Sequence, residues 1–169
     1  MRQIKIIALN KQSVLSLVRF AILLAIATLA PLFHFQPITG PIVNAVFFIA
    51  VALVGAQNTV LIGLLPSLIA LSTGLLPALL APMIPFIMIS NIILIITFSY
   101  FKERNFFAAV VVSSVLKFLF LASTSSIVVH LITQKIIAQK AALMMGWWQL
   151  ITALIGGIIA YFALRIIKK

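Results

Sequence analysis

The chain alternates long apolar runs with short polar breaks. Between Arg19 and Lys102 there is no charged side chain. A helix needs about 20 apolar residues to cross a hydrocarbon core about 30 Å thick. With the change in character near Ser13, this stretch predicts four spans, over 13–33, 41–56, 59–75 and 79–101. The breaks are HFQPITG from His34 to Gly40, AQN from Ala56 to Asn58, and GLLPALLAP from Gly74 to Pro82. Proline and glycine mark these points because they end helices or turn the chain. The second and third spans are short, so a re-entrant path stays open for one of them. After Lys102–Glu103–Arg104 a fifth span is predicted over 106–123 and a sixth over 146–167. Residues 124–145 are less apolar. They are expected to form an outer connection, either a lid or a surface amphipathic helix lying over the outer mouth.

The basic residues then orient the bundle. Cytoplasmic loops carry an excess of Lys and Arg. Arg2, Lys5, Lys11 and Arg19 flank the first span, Lys102 and Arg104 follow the fourth, and Arg165, Lys168 and Lys169 follow the sixth. An even number of spans separates each pair of clusters, so all three fit on one side. The expectation is an all-α membrane protein: one domain over 1–169, a compact bundle of about six transmembrane helices, both termini cytoplasmic. Lys135 and Lys140 fall outside, and Trp147 and Trp148 sit at the outer interface, where indoles anchor. The first apolar run exceeds a usual signal core, and its removal would break the parity, so cleavage is not expected.

Composition agrees and excludes several chemistries. The chain is 64% hydrophobic and 8% charged, with twelve Lys or Arg against one acid and a net charge of +11. Soluble domains carry about 25% charged residues. The bases cluster at span ends rather than forming a stripe, so nucleic acid is not an expected partner. Cysteine is absent, which removes disulfides and thiolate chemistry. A lone Glu103 excludes a paired-carboxylate mechanism. His34 and His130 are far apart and make a poor metal site. There is no phosphate-binding G-x-x-x-x-G-K-[ST] loop. No nucleophile–base–orienter set can be assembled, so no enzyme activity and no cofactor are expected.

The polar residues inside the spans are the candidates for a site. Lys117 lies twelve residues into the fifth span, where a lysine costs about 2.5–3.5 kcal/mol on insertion scales. Ser113, Ser114 and Thr124 fall on its side of the helix. It is read either as an anion-binding or hydrogen-bonding group in a cavity, or as a snorkelling side chain whose stem reaches an interface. Asn44 and Asn91 lie within the second and fourth spans, and buried amides demand partners. They either recognise substrate or join helices. Asn91 follows Pro82 and Pro85, and a distorted helix beside polar side chains commonly lines a cavity. On the outer side, His34, Gln36 and Thr39 precede the second span. The run Ser123–Ser126 with His130 follows the fifth, and Trp147, Trp148 and Gln149 open the sixth. Such a convergence describes a small-molecule pocket. Gln149 shares a helix face with Thr152. For the tryptophans, interface anchoring is the alternative.

Small residues recur at four-residue spacing: Ala21/Ala25, Gly63/Ser67, Ala70/Gly74, Ala153/Gly157 and Gly156/Ala160. Such pairs let membrane helices approach closely, and packing within the bundle is the expectation for most of them.

Six short helices, cytoplasmic termini and the A-x-x-x-A of Ala21 and Ala25 resemble the substrate-binding S components of energy-coupling factor transporters. So do the punctuated segments GPIVNAVFFIAVALVG (40–55), IGLLPSLIALSTG (62–74) and APMIPFIMISNI (81–92). The resemblance covers nearly the whole chain. It implies that Ala21 and Ala25 contact a membrane coupling subunit, and that two separate cytoplasmic ATPases supply the energy. It implies an external pocket built from the first loop and later helices, and toppling in the membrane to release substrate. Its metal-transporting branch uses an N-terminal histidine, whereas this chain begins Met1-Arg2-Gln3, so metal is not the expected cargo.

The leading expectation is therefore a binding subunit in a bacterial or archaeal cell membrane that captures a small vitamin-like molecule. With Lys117 inside and no acid there, that molecule is neutral or anionic. The candidate binding residues are Lys117, Asn91, Asn44, Gln36, Ser114, Thr124, Trp148 and Gln149. The competing readings are a small channel or self-contained carrier, in which Lys117, Asn44 and Asn91 line a pore, and a non-catalytic membrane scaffold.

Overall fold

Peptide groups in hydrocarbon find no water, so apolar runs of this length fold as helices that satisfy their own hydrogen bonds. The computed structural model describes residues 11–131 and 145–167. Lys135, Lys140 and most of the expected outer connection lie outside the described residues, as do Arg2, Lys5, Lys168, Lys169 and the side chain of His130. Helix α1 covers Lys11–Leu29 and ends in a 3-10 turn, Ala30–Phe33. Then come α2 (Gln36–Leu53) and α3 (Ala56–Ser72). A second 3-10 turn (Ala78–Met83) leads into α4 (Ile84–Phe101). The remaining helices are α5 (Phe106–Leu131) and α6 (Trp147–Ile167). There is no strand among the described residues. Five of the helical segments are long and apolar enough to cross a membrane, and α3, with 17 residues, is shorter. The chain is a multi-pass all-α membrane protein.

Several boundaries differ from the expectation. Helix α2 begins at Gln36 rather than 41, so most of HFQPITG is helical. Pro37 stands in its first turn, where a missing N–H and a fixed φ suit a helix start. Only His34 and Phe35 separate it from the preceding 3-10 turn. Helix α3 is shifted three residues toward the N-terminus, between turns in which Gly55 and Gly74 adopt φ of 85° and 80°. It is one continuous helix of 17 residues. Helix α4 starts at 84, because 78–83 wind as 3-10 instead.

The largest difference is α5, which runs eight residues beyond 123. The hydroxyl run does not break it. Ser123, Thr124 and Ser125 donate to the carbonyls of Leu119, Phe120 and Ala122, at 2.8, 2.9 and 3.1 Å, so the helix itself satisfies them. Residues 124–131 are therefore helical and continue α5.

The helices alternate in direction. The start of α1, the α2–α3 and α4–α5 turns, and the end of α6 gather at one end. Ring contacts fix this for α4, α5 and α6: Phe106 at the start of α5 lies 5.3 Å from Phe98 of α4 and 5.6 Å from Tyr161 of α6. Lys102, Arg104 and Arg165 thus share an end. At the other end the His34 Nε2–H donates to the Thr73 carbonyl at 2.7 Å, tying the α1–α2 turn to the end of α3.

Close packing between helices, rather than apolar burial, drives association in lipid. Helices α2 and α6 meet most closely. A Cβ on Gly156 would lie 2.8 Å from the Ala45 backbone nitrogen and 2.8 Å from Asn44 Cβ. A Cβ on Gly157 would overlap Val110 of α5. Ala153 and Ala160 are fully buried beside them. Phe47, Phe48, Phe98, Leu94 and Ile95 fill the centre. By contrast α1 is peripheral: Leu23 and Ala27 face inward, while Leu17, Ile22, Ile26 and Leu29 face outward. The outward apolar residues of all the helices form the surface a bilayer solvates.

Candidate functional site

A lysine in the middle of an apolar helix must find acceptors inside the protein. Lys117, the twelfth residue of α5, is 3% exposed. It does not snorkel. Its Nζ donates to Asn44 Oδ1 on α2 at 2.7 Å and to Asn91 Oδ1 on α4 at 2.9 Å. An ammonium has three donors and no acceptor, so both amide oxygens must face it. The amide nitrogens then turn away. Asn44 Nδ2 donates to Gly40 O at 2.9 Å, and Asn91 Nδ2 donates to Gly63 O on α3 at 3.0 Å. One cluster thereby joins α2, α3, α4 and α5. The Phe47 ring centroid lies 5.9 Å from Nζ, within cation–π range. The one acidic residue, Glu103, sits 80% exposed at the basic end and pairs with Lys102 at 2.6 Å. The ammonium is thus solvated by two amides and a ring face, with no carboxylate beside it.

This cluster forms the floor of a cavity of about 80 Å³. Gln36, Thr39, Ser67 and Gln149 supply polar wall. Pro31, Val43, Pro66, Leu76, Ile87 and Met145 supply apolar wall. Gln36 is two turns above Asn44 on α2, about 12 Å along the axis at 1.5 Å per residue. The cavity therefore runs from mid-bundle toward the end marked by the His34–Thr73 bond, opposite Lys102 and Arg104.

The structure gathers Lys117, Asn44, Asn91, Gln36 and Gln149 around this space. Three other candidates lie elsewhere. Ser114 is fully buried but does not line the cavity, and its hydroxyl has no partner among the described residues. Thr124 donates to Phe120 O and Leu121 O of its own helix, and its side chain is outside the cavity. Trp148 is 44% exposed and away from the lining, while Trp147 stacks on Phe118 with centroids 5.0 Å apart. Both indoles belong to the outer surface. Ser113 donates to Val110 O within α5. Ala21 and Ala25 are exposed on the outward side of α1.

Sequence reasoning misses the α3 wall and the role of the two glycine carbonyls. The small-residue spacing of Gly63 and Ser67 is a signal there, but on its own it points only to helix packing. Gly63 does pack, since a Cβ there would meet Ile95 Cδ1 at 2.9 Å. The same close approach lets the Asn91 amide reach the Gly63 carbonyl. No family model matches the chain, and neither a curated protein nor a solved structure shows detectable similarity to it.

Proposed function

We propose that the protein is a solute-binding subunit of a membrane importer, which captures a small neutral or anionic molecule at the outer face. The observation that carries this reading is the buried Lys117, held by Asn44 and Asn91 on the floor of a cavity directed away from the basic end. A purely structural lysine at this depth is costly, and apolar residues would join the same helices without that cost. A cation with no carboxylate beside it suits an anionic or strongly polar guest. Taking the basic end as cytoplasmic, the cavity opens outward, and the chain is a cell-membrane protein of a bacterium or archaeon.

The chain has no phosphate-binding loop, so uptake draws on separate ATPases. The resemblance to S components of energy-coupling factor transporters supplies their arrangement: a membrane coupling subunit and two cytoplasmic ATPases. Ala21 and Ala25, outward on the most peripheral helix, offer the coupling subunit a surface without bulky side chains. The test is tagged purification from the native membrane. Recovery of a coupling subunit with two ATPases, lost with Ala21→Leu/Ala25→Leu, supports the reading. A chain that purifies alone and binds no solute contradicts it.

A further inference from the structure

We propose that the cavity takes a short-chain aliphatic monocarboxylate, its carboxylate on Lys117 and its alkyl end against the Pro31–Leu76–Met145 wall. This rests on the solute-binding reading above and names the class of solute. The floor offers donors. Lys117 Nζ has three N–H groups, and the two Asn oxygens take two of them. The third has no partner among the described residues. Each Asn amide nitrogen likewise gives one hydrogen to a glycine carbonyl and retains a second. A carboxylate accepts only, through two oxygens, and so matches the remaining N–H of Lys117, whose other two are taken by the Asn oxygens.

Charge points the same way. The described residues bring no acid to this ammonium, and a carboxylate would complete an ion pair where water is scarce. The floor repels an ammonium ligand, and a neutral amide would supply no charge. The walls set the remainder of the guest. Above the floor the lining is dominated by apolar side chains, which suit an alkyl group and not a second charged end. The volume of about 80 Å³ is well below the roughly 300–1,000 Å³ of pockets for drug-sized ligands, which sets the guest as small.

The experiment uses the full chain purified in detergent and follows its melting temperature. Acetate, butyrate, butyramide, butylamine and inorganic phosphate are titrated at constant ionic strength. The expected result is stabilisation by butyrate, roughly tenfold tighter than by acetate for its two extra methylenes. Butyramide binds at least tenfold more weakly, while butylamine and phosphate give no shift. Lys117→Met abolishes the butyrate response. Competition of butyramide against butyrate on the unaltered protein gives the same discrimination independently of any variant's folding. Butyramide equal to butyrate, phosphate as effective as butyrate, or a butyrate response surviving Lys117→Met overturns the proposal. A neutral vitamin that binds where no carboxylate does overturns this inference and leaves the solute-binding reading standing. Absence of a shift with these compounds and with a broad panel of vitamins overturns both.

Discussion

Asn91 holds Lys117 by its amide oxygen at 2.9 Å while its nitrogen holds the Gly63 carbonyl at 3.0 Å. One side chain thus orients the buried ammonium and fixes α4 against α3. The two bonds are coupled, because the ammonium accepts nothing and dictates which way the amide faces.

That coupling is measurable. Asn91→Leu leaves Lys117 one acceptor short, and should destabilise the protein by about 2 kcal/mol. Lys117→Met keeps the approximate volume but leaves the buried Asn44 and Asn91 oxygens without their donor, so it too should melt below the unaltered protein. In the Lys117→Met background, Asn91→Leu should then cost clearly less than alone. Denaturation in detergent of the four proteins checks this double-mutant cycle, and equal costs in both backgrounds would show no coupling.

Ser114 should behave in the opposite sense to a ligand-binding serine. Its hydroxyl is buried without a partner among the described residues, and leaving such a group unsatisfied costs about 1–3 kcal/mol. Ser114→Ala should raise the melting temperature and leave solute affinity unchanged. A loss of affinity would place Ser114 in the site.

The α2–α6 contact should tolerate no added side chain. Gly156→Val forces atoms against the Ala45 backbone and Asn44. Overpacking of this kind costs about 1–3 kcal/mol, and here it also displaces a floor residue. The expected outcome is lower thermal stability together with weakened solute binding. Ala21→Leu, on the exposed face of α1, should by contrast change stability by no more than about 0.5 kcal/mol. Thermal denaturation of the two variants side by side checks both outcomes.

Orientation can be read with single cysteines, since the chain has none of its own. Cysteine at position 35, exposed at the cavity end, should react with a membrane-impermeant maleimide in intact cells. Cysteine at position 104 should react only after permeabilisation. The reverse pattern would turn the cavity toward the cytoplasm and contradict an importer's binding subunit.

Much of the fold was legible because bilayer physics leaves few choices. Charge-free runs gave the helices, and basic clusters of even separation matched the end shared by Lys102, Arg104 and Arg165. Boundaries were less legible where one residue type serves two purposes. Pro37 breaks a helix from within but starts one well, and the Ser123–Ser125 hydroxyls resemble a loop yet bond back to their own helix. For the site, Lys117, Asn44 and Asn91 stood out because polar atoms in hydrocarbon are expensive, and the structure joins all three. Thr124 and Trp148 do not line this cavity, for a different reason. Helical spacing says which side of α5 a residue faces, but not how far along the helix the cavity extends. Trp148 lies at the cavity's end of the bundle yet points outward. The Gly63 carbonyl could not be foreseen, since a backbone acceptor has no sequence signature of its own.

Above all, Lys117 should bind a solute rather than merely join helices. The most direct measurement is ligand-dependent melting of the purified protein and its Lys117→Met variant, against one panel of small anionic and neutral vitamins and carboxylates. At least one compound should stabilise the unaltered protein, by about 2.7 kcal/mol at a hundredfold excess over Kd. The same compound should leave a well-folded Lys117→Met protein unmoved. If no compound shifts the unaltered protein, or the variant responds equally, Lys117 is a structural residue and the binding reading fails.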